Sequence, residues 1–359
     1  MNHLPAELIQ GILSDYGLGR SDCHAVARTS HNLNPIAIAL LYSSISFSEQ
    51  HEIGCCIRCL NILASSRNAL LIKSLSCAFR LDGQNQQDFW PALTTALRRT
   101  QKLRILRLDI SGTMFSLGLN SFLGNLESSA LPDLEEIYTT GARILYLAAG
   151  RPCKAATCND ARATSSGISS LLMKLRSSIV PLERLSIRLP DAREVITIDT
   201  IQSIAHHFCS LISLEIIMPI SSLGFAHDVA AFLAPIISSL PQLEVLATPG
   251  YYNFPWPPYT ALDGRHRSPL DSEHESVMIL GSSNSRLRRI QLNIVWWSIS
   301  ETGSGDHKGG WTPCPGADSW VWWTAKYGVG ARDEMLRRWG HTYDDSGASF
   351  RKVSVLLQR

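Results

Sequence analysis

Apolar and polar positions along the chain follow one recurring phrase, apolar-x-x-apolar-x-apolar. It reads "LIKSLSCAF" around Leu75, "KLRILRLDI" around Leu106, "DLEEIYTTG" around Ile137 and "PLERLSIRL" around Leu185. It returns as "LISLEIIM" around Leu214, "QLEVLATPG" around Leu246 and "RLRRIQLNI" around Ile290, and "LYSSISF" puts Ile45 in the same place. The central residues 45, 75, 106 and 137 lie 30, 31 and 31 residues apart, and the later gaps are 48, 29, 32 and 44. Alternation over so short a run predicts one strand per phrase. Between the phrases the spacing changes to the helical one. Helices are predicted around Ile53, Ile57, Leu60 and Leu63; around Phe89, Leu93 and Leu97; and around Leu119, Phe122, Leu123 and Leu126. Three more follow around Ile168, Leu171, Leu172 and Leu175; Ile201, Ile204, Ala205 and Phe208; and Val229, Phe232, Leu233 and Ile236, the last with Pro235 as a kink.

Each unit is thus one helix and one short strand. A single unit cannot bury its apolar side, whereas stacked neighbours share a continuous core. The expected fold class is α/β, with parallel strands lining one side of a solenoid and helices the other. An ordinary doubly wound sheet is the alternative. From about Tyr42 to Ile294 the pattern resembles the longer, helix-containing class of leucine-rich repeats. Where that family places Asn or Cys after the strand, this chain has Ser111, Ala142, Pro190, Pro219, Tyr251 and Val295, so irregular repeats are expected. Residues 42–299 form the expected solenoid. The two long gaps, 141–167 and 250–276, are polar, small or Pro-rich and are expected to be inserted surface loops.

Residues 1–41 read as a few short helices, with Pro5 in the first turn of the first and Leu8, Ile9, Ile12 and Leu13 along one stripe. So short a segment cannot bury all this apolar surface in itself. "LPAELIQGIL", "DCHAVARTSHNLNPIA" and "LLYSSISF" resemble the F-box motif in the form common among fungal F-box proteins. The resemblance implies docking on the small adaptor subunit of a cullin–RING ubiquitin ligase. It assigns adaptor contacts to Leu4, Pro5, Glu7, Leu8, Ile12, Leu13, Val26, Leu33, Pro35 and Ile36. On this reading the chain is a substrate-recruiting subunit, binding the adaptor at its start and a target protein of unknown identity through the repeats. The alternative is an interaction scaffold with no ligase connection, its first residues capping the solenoid.

Composition narrows the function classes. The 359 residues are 45% hydrophobic and 18% charged, with a net charge of +2 and no long block of one sign, so no basic stripe for nucleic acid is expected. No segment near the start is apolar for long enough to span a bilayer. Nine cysteines lie scattered without a framework, which suits a reducing compartment, cytosol or nucleus. Cys55, Cys56 and Cys59 and the pair Cys153 and Cys158 lack the paired spacing of a tetrahedral zinc site. No nucleophile elbow, phosphate loop or His-Glu-x-x-His is present, and no catalytic residue, metal or cofactor is assigned.

Strand alternation locates the target face. The central and last apolar residues of each phrase point inward, and their neighbours point outward. The outward positions assigned to target binding are Arg107, Asp109, Glu136, Tyr138, Arg184, Arg188, Glu215 and Gln291. Arginines on such a face favour an acidic or phosphorylated target. Residues 300–359 are expected to cap the last repeat. Trp296, Trp297, Trp311, Trp320, Trp322, Trp323 and Trp339 serve that cap or, alternatively, an aromatic recognition patch.

Overall fold

A computed structural model of the chain describes residues 20–81, 83–111, 122–124, 126–127, 129–159, 165–188, 198–217, 226–249, 269–292, 295–299 and 310–314. The chain divides into two units, Met1–Asp160 with Ser166–Leu182, and Ala161–Ser165 with Glu183–Arg359.

In the first unit helices α1 (Arg20–Thr29) and α2 (Asn34–Ser43) lead into strand β1 (Ser44–Ser48). Helix α3 (Ile53–Ser65) and a 3-10 turn (Arg67–Leu71) connect to β2 (Ser74–Arg80), and α4 (Gly83–Arg99) to β3 (Ile105–Ser111). β4 (Glu136–Thr139), a 3-10 turn (Ala142–Ala148), β5 (Ala155–Cys158) and α5 (Ser165–Leu175) follow. The five strands pair in chain order, all parallel. In the second unit β6 (Arg184–Arg188), β7 (Ser213–Ile217), β8 (Val245–Thr248) and β9 (Arg289–Leu292) also pair in order and parallel. Between them run α6 (Ile198–His207), α7 (Ala226–Ser238) and α8 (Pro269–Ser283). β10 (Val295–Ile299) then pairs antiparallel with β9, and β11 (Trp311–Cys314) antiparallel with β10.

The register within each unit aligns the recurring phrase. Ile45, Leu75, Leu106 and Ile137 stand opposite one another in the first unit, and Leu185, Leu214, Leu246 and Ile290 in the second. Three residues before these, Ile72, Leu103, Leu134, Leu182, Leu211, Leu243 and Leu287 are all buried; two after them, so are Cys77, Leu108, Ile187, Ile216 and Leu292. Each such side chain contributes about 1.5–3 kcal/mol by leaving water. The predicted helices supply the other wall of the core through Leu60, Leu63, Phe89, Leu93, Leu97, Leu171, Leu172, Ile204, Phe208, Leu233 and Ile236.

The backbone repeats with the same period. The Lys73 carbonyl accepts from the N–H groups of Arg104 and Ile105, that of Arg104 from Glu135 and Glu136, and that of Glu135 from Lys154 and Ala155. In the second unit the carbonyls of Glu183, Ile212 and Glu244 accept in the same way from the residues that open the following strand. A carbonyl has two lone pairs, so one oxygen per repeat satisfies two donors of its neighbour.

Three expectations are corrected. Residues 141–158 are not a surface loop: "CKAATC" is the recurring phrase in small residues, with Cys153, Ala156 and Cys158 buried and Ala156 paired with Ile137. The later gap also closes early, because α8 already begins at Pro269, within the stretch 250–276 read as a loop. The sheet is not wholly parallel, since β10 and β11 run antiparallel and carry the tryptophans. Residues 160–164 and 250–268 lie outside the described residues, as do Trp320, Trp322, Trp323 and Trp339.

Candidate protein-binding faces

The N-terminal helices are tied together locally. The Asn34 side-chain amide donates to the Ala27 carbonyl at 2.7 Å, and the Leu33 N–H donates to the Ser30 hydroxyl at 3.3 Å. Pro35 sits in the first turn of α2, where its missing N–H costs nothing. The sequence of α2, "NPIAIALLYS", is apolar on every side, yet Ala37 is its one buried residue; Ile36, Ile38, Leu40 and Leu41 are half-buried. A helix apolar all round ordinarily lies within a core. α2 packs on α1, on β1 and on the 3-10 turn Arg67–Leu71, and these cover it in part. Of the adaptor-site residues read from the sequence, Val26, Leu33 and Ile36 are half-buried and Pro35 is exposed, all within this helix pair. Leu4, Pro5, Glu7, Leu8, Ile12 and Leu13 lie outside the described residues.

The sheet of the first unit turns small polar side chains outward on β1 and β2, namely Ser44, Ser46, Ser74 and Ser76. Its charged residues are Arg80 at the end of β2 and a group on β3 and β4. The Arg107 guanidinium lies 4.6 Å from the centre of the Tyr138 ring, and the Tyr138 hydroxyl donates to Glu136 Oε2 at 2.9 Å. Arg107 and Tyr138 are partners in register, so the stack follows from the strand pairing itself. Asp109 is exposed beside them. Thr140, outward by alternation, turns to the backbone of β3: its hydroxyl donates to the Ile110 carbonyl at 3.0 Å and accepts from the Ile110 N–H at 3.1 Å.

The second unit places Arg184, Ser186 and Arg188 outward on β6, and Glu215 outward on β7. The Ser186 hydroxyl donates to Glu215 Oε2 at 2.5 Å, across partners in register. Gln291 is half-buried on β9, opposite Trp296 of β10. Arg289, one residue before Ile290, is turned outward by the same alternation but is not among the positions assigned from the sequence. Its guanidinium lies 4.7 Å from the centre of the Trp296 ring, joining the parallel strands to the antiparallel pair. Trp297 and Trp311 point the other way and are buried, Trp297 stacked on His274 with ring centres 5.3 Å apart. Trp297 and Trp311 are thus buried on the inner side, while Trp296 belongs to the outward face.

The cysteine cluster resolves by helical geometry. Cys56 faces the core, Cys59 is exposed, and Cys55 accepts a hydrogen bond from Arg58 Nη2 at 2.9 Å. Burial, and then the neighbouring Cys59 and Cys55, push the Cys56 thiol up from its ordinary value. Among the described residues no three His, Cys, Asp or Glu side chains gather to hold a metal ion. Among them, too, no helix is long and apolar enough to cross a membrane.

No protein-family model matches the chain, and no curated protein matches it. A crystal structure of a protein from Bacteroides fragilis is 11% identical, with a TM-score of 0.32; the match covers 67% of this chain and 66% of that protein's length. At that level the likeness carries no argument, and the reading of this chain rests on its own residues.

Proposed function

We propose that the chain is a substrate-recruiting subunit of a cullin–RING ubiquitin ligase, acting in the cytosol or nucleus and supplying no catalytic side chain. Its N-terminal helices dock on the adaptor subunit, and the outward sheet faces hold a target protein. Recruitment raises the effective concentration of the target near the ubiquitin-loaded enzyme, and that proximity is the whole contribution.

The observation that carries the reading is α2: apolar on every side, only partly covered by its neighbours, and lying within the residues that resemble an F-box. Apolar surface left partly uncovered on a helix of this kind suits an interaction site. Charged, ordered and partly stacked side chains on the strand faces, Arg107 with Tyr138 and Arg289 with Trp296, suit a second protein surface. The test is capture of purified adaptor by the full chain. Leu8→Asp is expected to weaken it by at least about 30-fold, as loss of a central interface residue does. Far-ultraviolet circular dichroism should stay unchanged. Wild-type chain that captures no adaptor of this class overturns the ligase reading and leaves the scaffold reading standing.

A further inference from the structure

We infer that Cys55 and Cys59, one turn apart on α3, form a two-coordinate site for copper(I), with the Arg58 guanidinium balancing the charge of the bound centre. The site goes beyond the recruiting role and does not depend on it.

The first argument is placement. Residues four apart on a helix share one face, with Cβ atoms about 5–6 Å apart. Cys59 is exposed and Cys55 half-buried, so solvent reaches both thiols. Cys56, which lies between them in sequence, is fully buried on the core side. A disulfide needs Cβ atoms about 3.5–4.5 Å apart, closer than an intact helix holds this pair. Two metal–sulfur bonds of about 2.3 Å, the length zinc makes, reach about 4.6 Å when set end to end. The swing of the two Cβ–Sγ bonds covers the rest. The pair is thus spaced for one bridging ion and not for oxidation to a disulfide within the helix.

The second argument is the chemistry of the ion. Among the described residues no three ligating side chains gather, so the four ligands of zinc are not supplied. A soft monovalent ion favours thiolates and is satisfied by two of them in line. Binding replaces two S–H bonds by two S–Cu bonds and releases two protons to solvent, with no change of oxidation state. The product carries one negative charge. Arg58 Nη2 already donates to Cys55 Sγ at 2.9 Å, and Arg58 Nη1 lies 3.8 Å from where a Cβ on Gly54 would stand. The guanidinium is therefore folded back over the first turn, beside the sulfur. Cys55 is the third residue of α3, where the helix dipole also favours an anion. One group opposes: Glu52 Oε2 accepts from the Cys55 thiol at 3.7 Å and would face the anion.

The probe is copper(I) itself, titrated without oxygen into the reduced full chain against the coloured chelator bathocuproine disulfonate. The chain is expected to withdraw one copper(I), and X-ray absorption to show two sulfur neighbours. C55A and C59A should each weaken retention by at least about 100-fold. Their far-ultraviolet circular dichroism should match wild type, because alanine suits both helical positions. R58L should weaken retention by about 10-fold, as loss of a group beside a metal ligand does, and E52Q should strengthen it. C209A, which removes an exposed thiol of the second unit, should leave it unchanged. No withdrawal of copper(I), retention by C55A or C59A equal to wild type, an equal loss in C209A, retention by R58L equal to wild type, or a third sulfur neighbour overturns the inference. None of these results bears on adaptor capture, so failure here is distinct from failure of the ligase reading.

Discussion

At the scale of single residues the first unit depends on Arg151. Its side chain is 3% exposed, and its partners are backbone carbonyls. Nε donates to Ala130 at 2.7 Å, Nη1 to Leu147 at 2.7 Å and to Ala149 at 3.3 Å, and Nη2 to Glu127 at 2.8 Å. Burial lowers its pKa from the ordinary arginine value, yet guanidinium stays protonated at neutral pH and donates throughout. Two of the carbonyls it holds, those of Glu127 and Ala130, lead into Leu131, a buried non-glycine residue at φ 60°, a backbone conformation that costs about 1–2 kcal/mol. Gly150, at φ 70°, turns the chain immediately before Arg151 enters. Arg151→Met removes the donor from the carbonyls of Ala130, Leu147 and Ala149, at about 1–3 kcal/mol for each that is buried, while the Glu127 carbonyl keeps the Ala130 N–H. The expected loss is at least about 3 kcal/mol in the urea unfolding of the first unit. Arg151→Lys should recover only part of it, because an ammonium lacks the planar fork that reaches both sides of the turn. Equal stability of Arg151→Met and wild type would show that the guanidinium only fills space.

At the scale of elements, strands were legible wherever the phrase carried large apolar residues. The central residues read from the sequence are the ones aligned by the strand register in each unit. β5 escaped because Cys153, Ala156 and Cys158 are too small to register as an apolar triplet, and two cysteines invite a reading as a metal or loop pair. The signal was present in the spacing alone. α8 escaped because its first turns, "PLDSEH", are polar and follow a Pro-rich stretch. The tryptophans fitted no single period because Trp296 and Trp297 alternate across one strand while Trp311 comes from another. Of the outward face, the strand positions were legible, but the stacking of Arg289 on Trp296 depends on an antiparallel turn-back that no local pattern announced. The cap has one steric requirement. At Gly281 of α8 an added Cβ would overlap the Trp311 indole. Gly281→Val is therefore expected to displace β11 and cost about 1–3 kcal/mol by overpacking, read as a lower thermal midpoint and a weaker near-ultraviolet tryptophan signal. Gly124 is the control: no atom lies within 4 Å of its added Cβ, so Gly124→Ala should be neutral or slightly stabilising. The same destabilisation in both would remove the steric explanation.

At the scale of the whole molecule the thiols decide how stability responds to pH. The chain has nine cysteines, and Cys23, Cys55, Cys56, Cys59, Cys77, Cys153, Cys158 and Cys209 are free thiols. Those on the core side of the repeats take positions where Leu or Ile stands in other repeats, so they are held as neutral, apolar groups. Burial pushes the Cys77 thiol well above its ordinary value and Cys153 up to about 12 from 9.0. The folded state thus favours the protonated thiol. The stability this contributes is complete below about pH 9, where the unfolded thiol is also protonated, and it is lost as pH rises from 9 towards 12 and the unfolded chain ionises first. For one such thiol the slope approaches about 1.4 kcal/mol per pH unit. Other groups titrate in the same range, so the informative quantity is a difference. Between pH 9 and pH 11 the unfolding free energy of wild type should fall by roughly 1 kcal/mol per pH unit more than that of Cys153→Ala. Below pH 8 the two should differ by a constant offset, set by the cavity the smaller side chain leaves. The measurement is urea unfolding across pH in the absence of oxidant. Parallel pH profiles for the two proteins would mean that Cys153 meets solvent in the folded chain, and that β5 is not the buried strand described above.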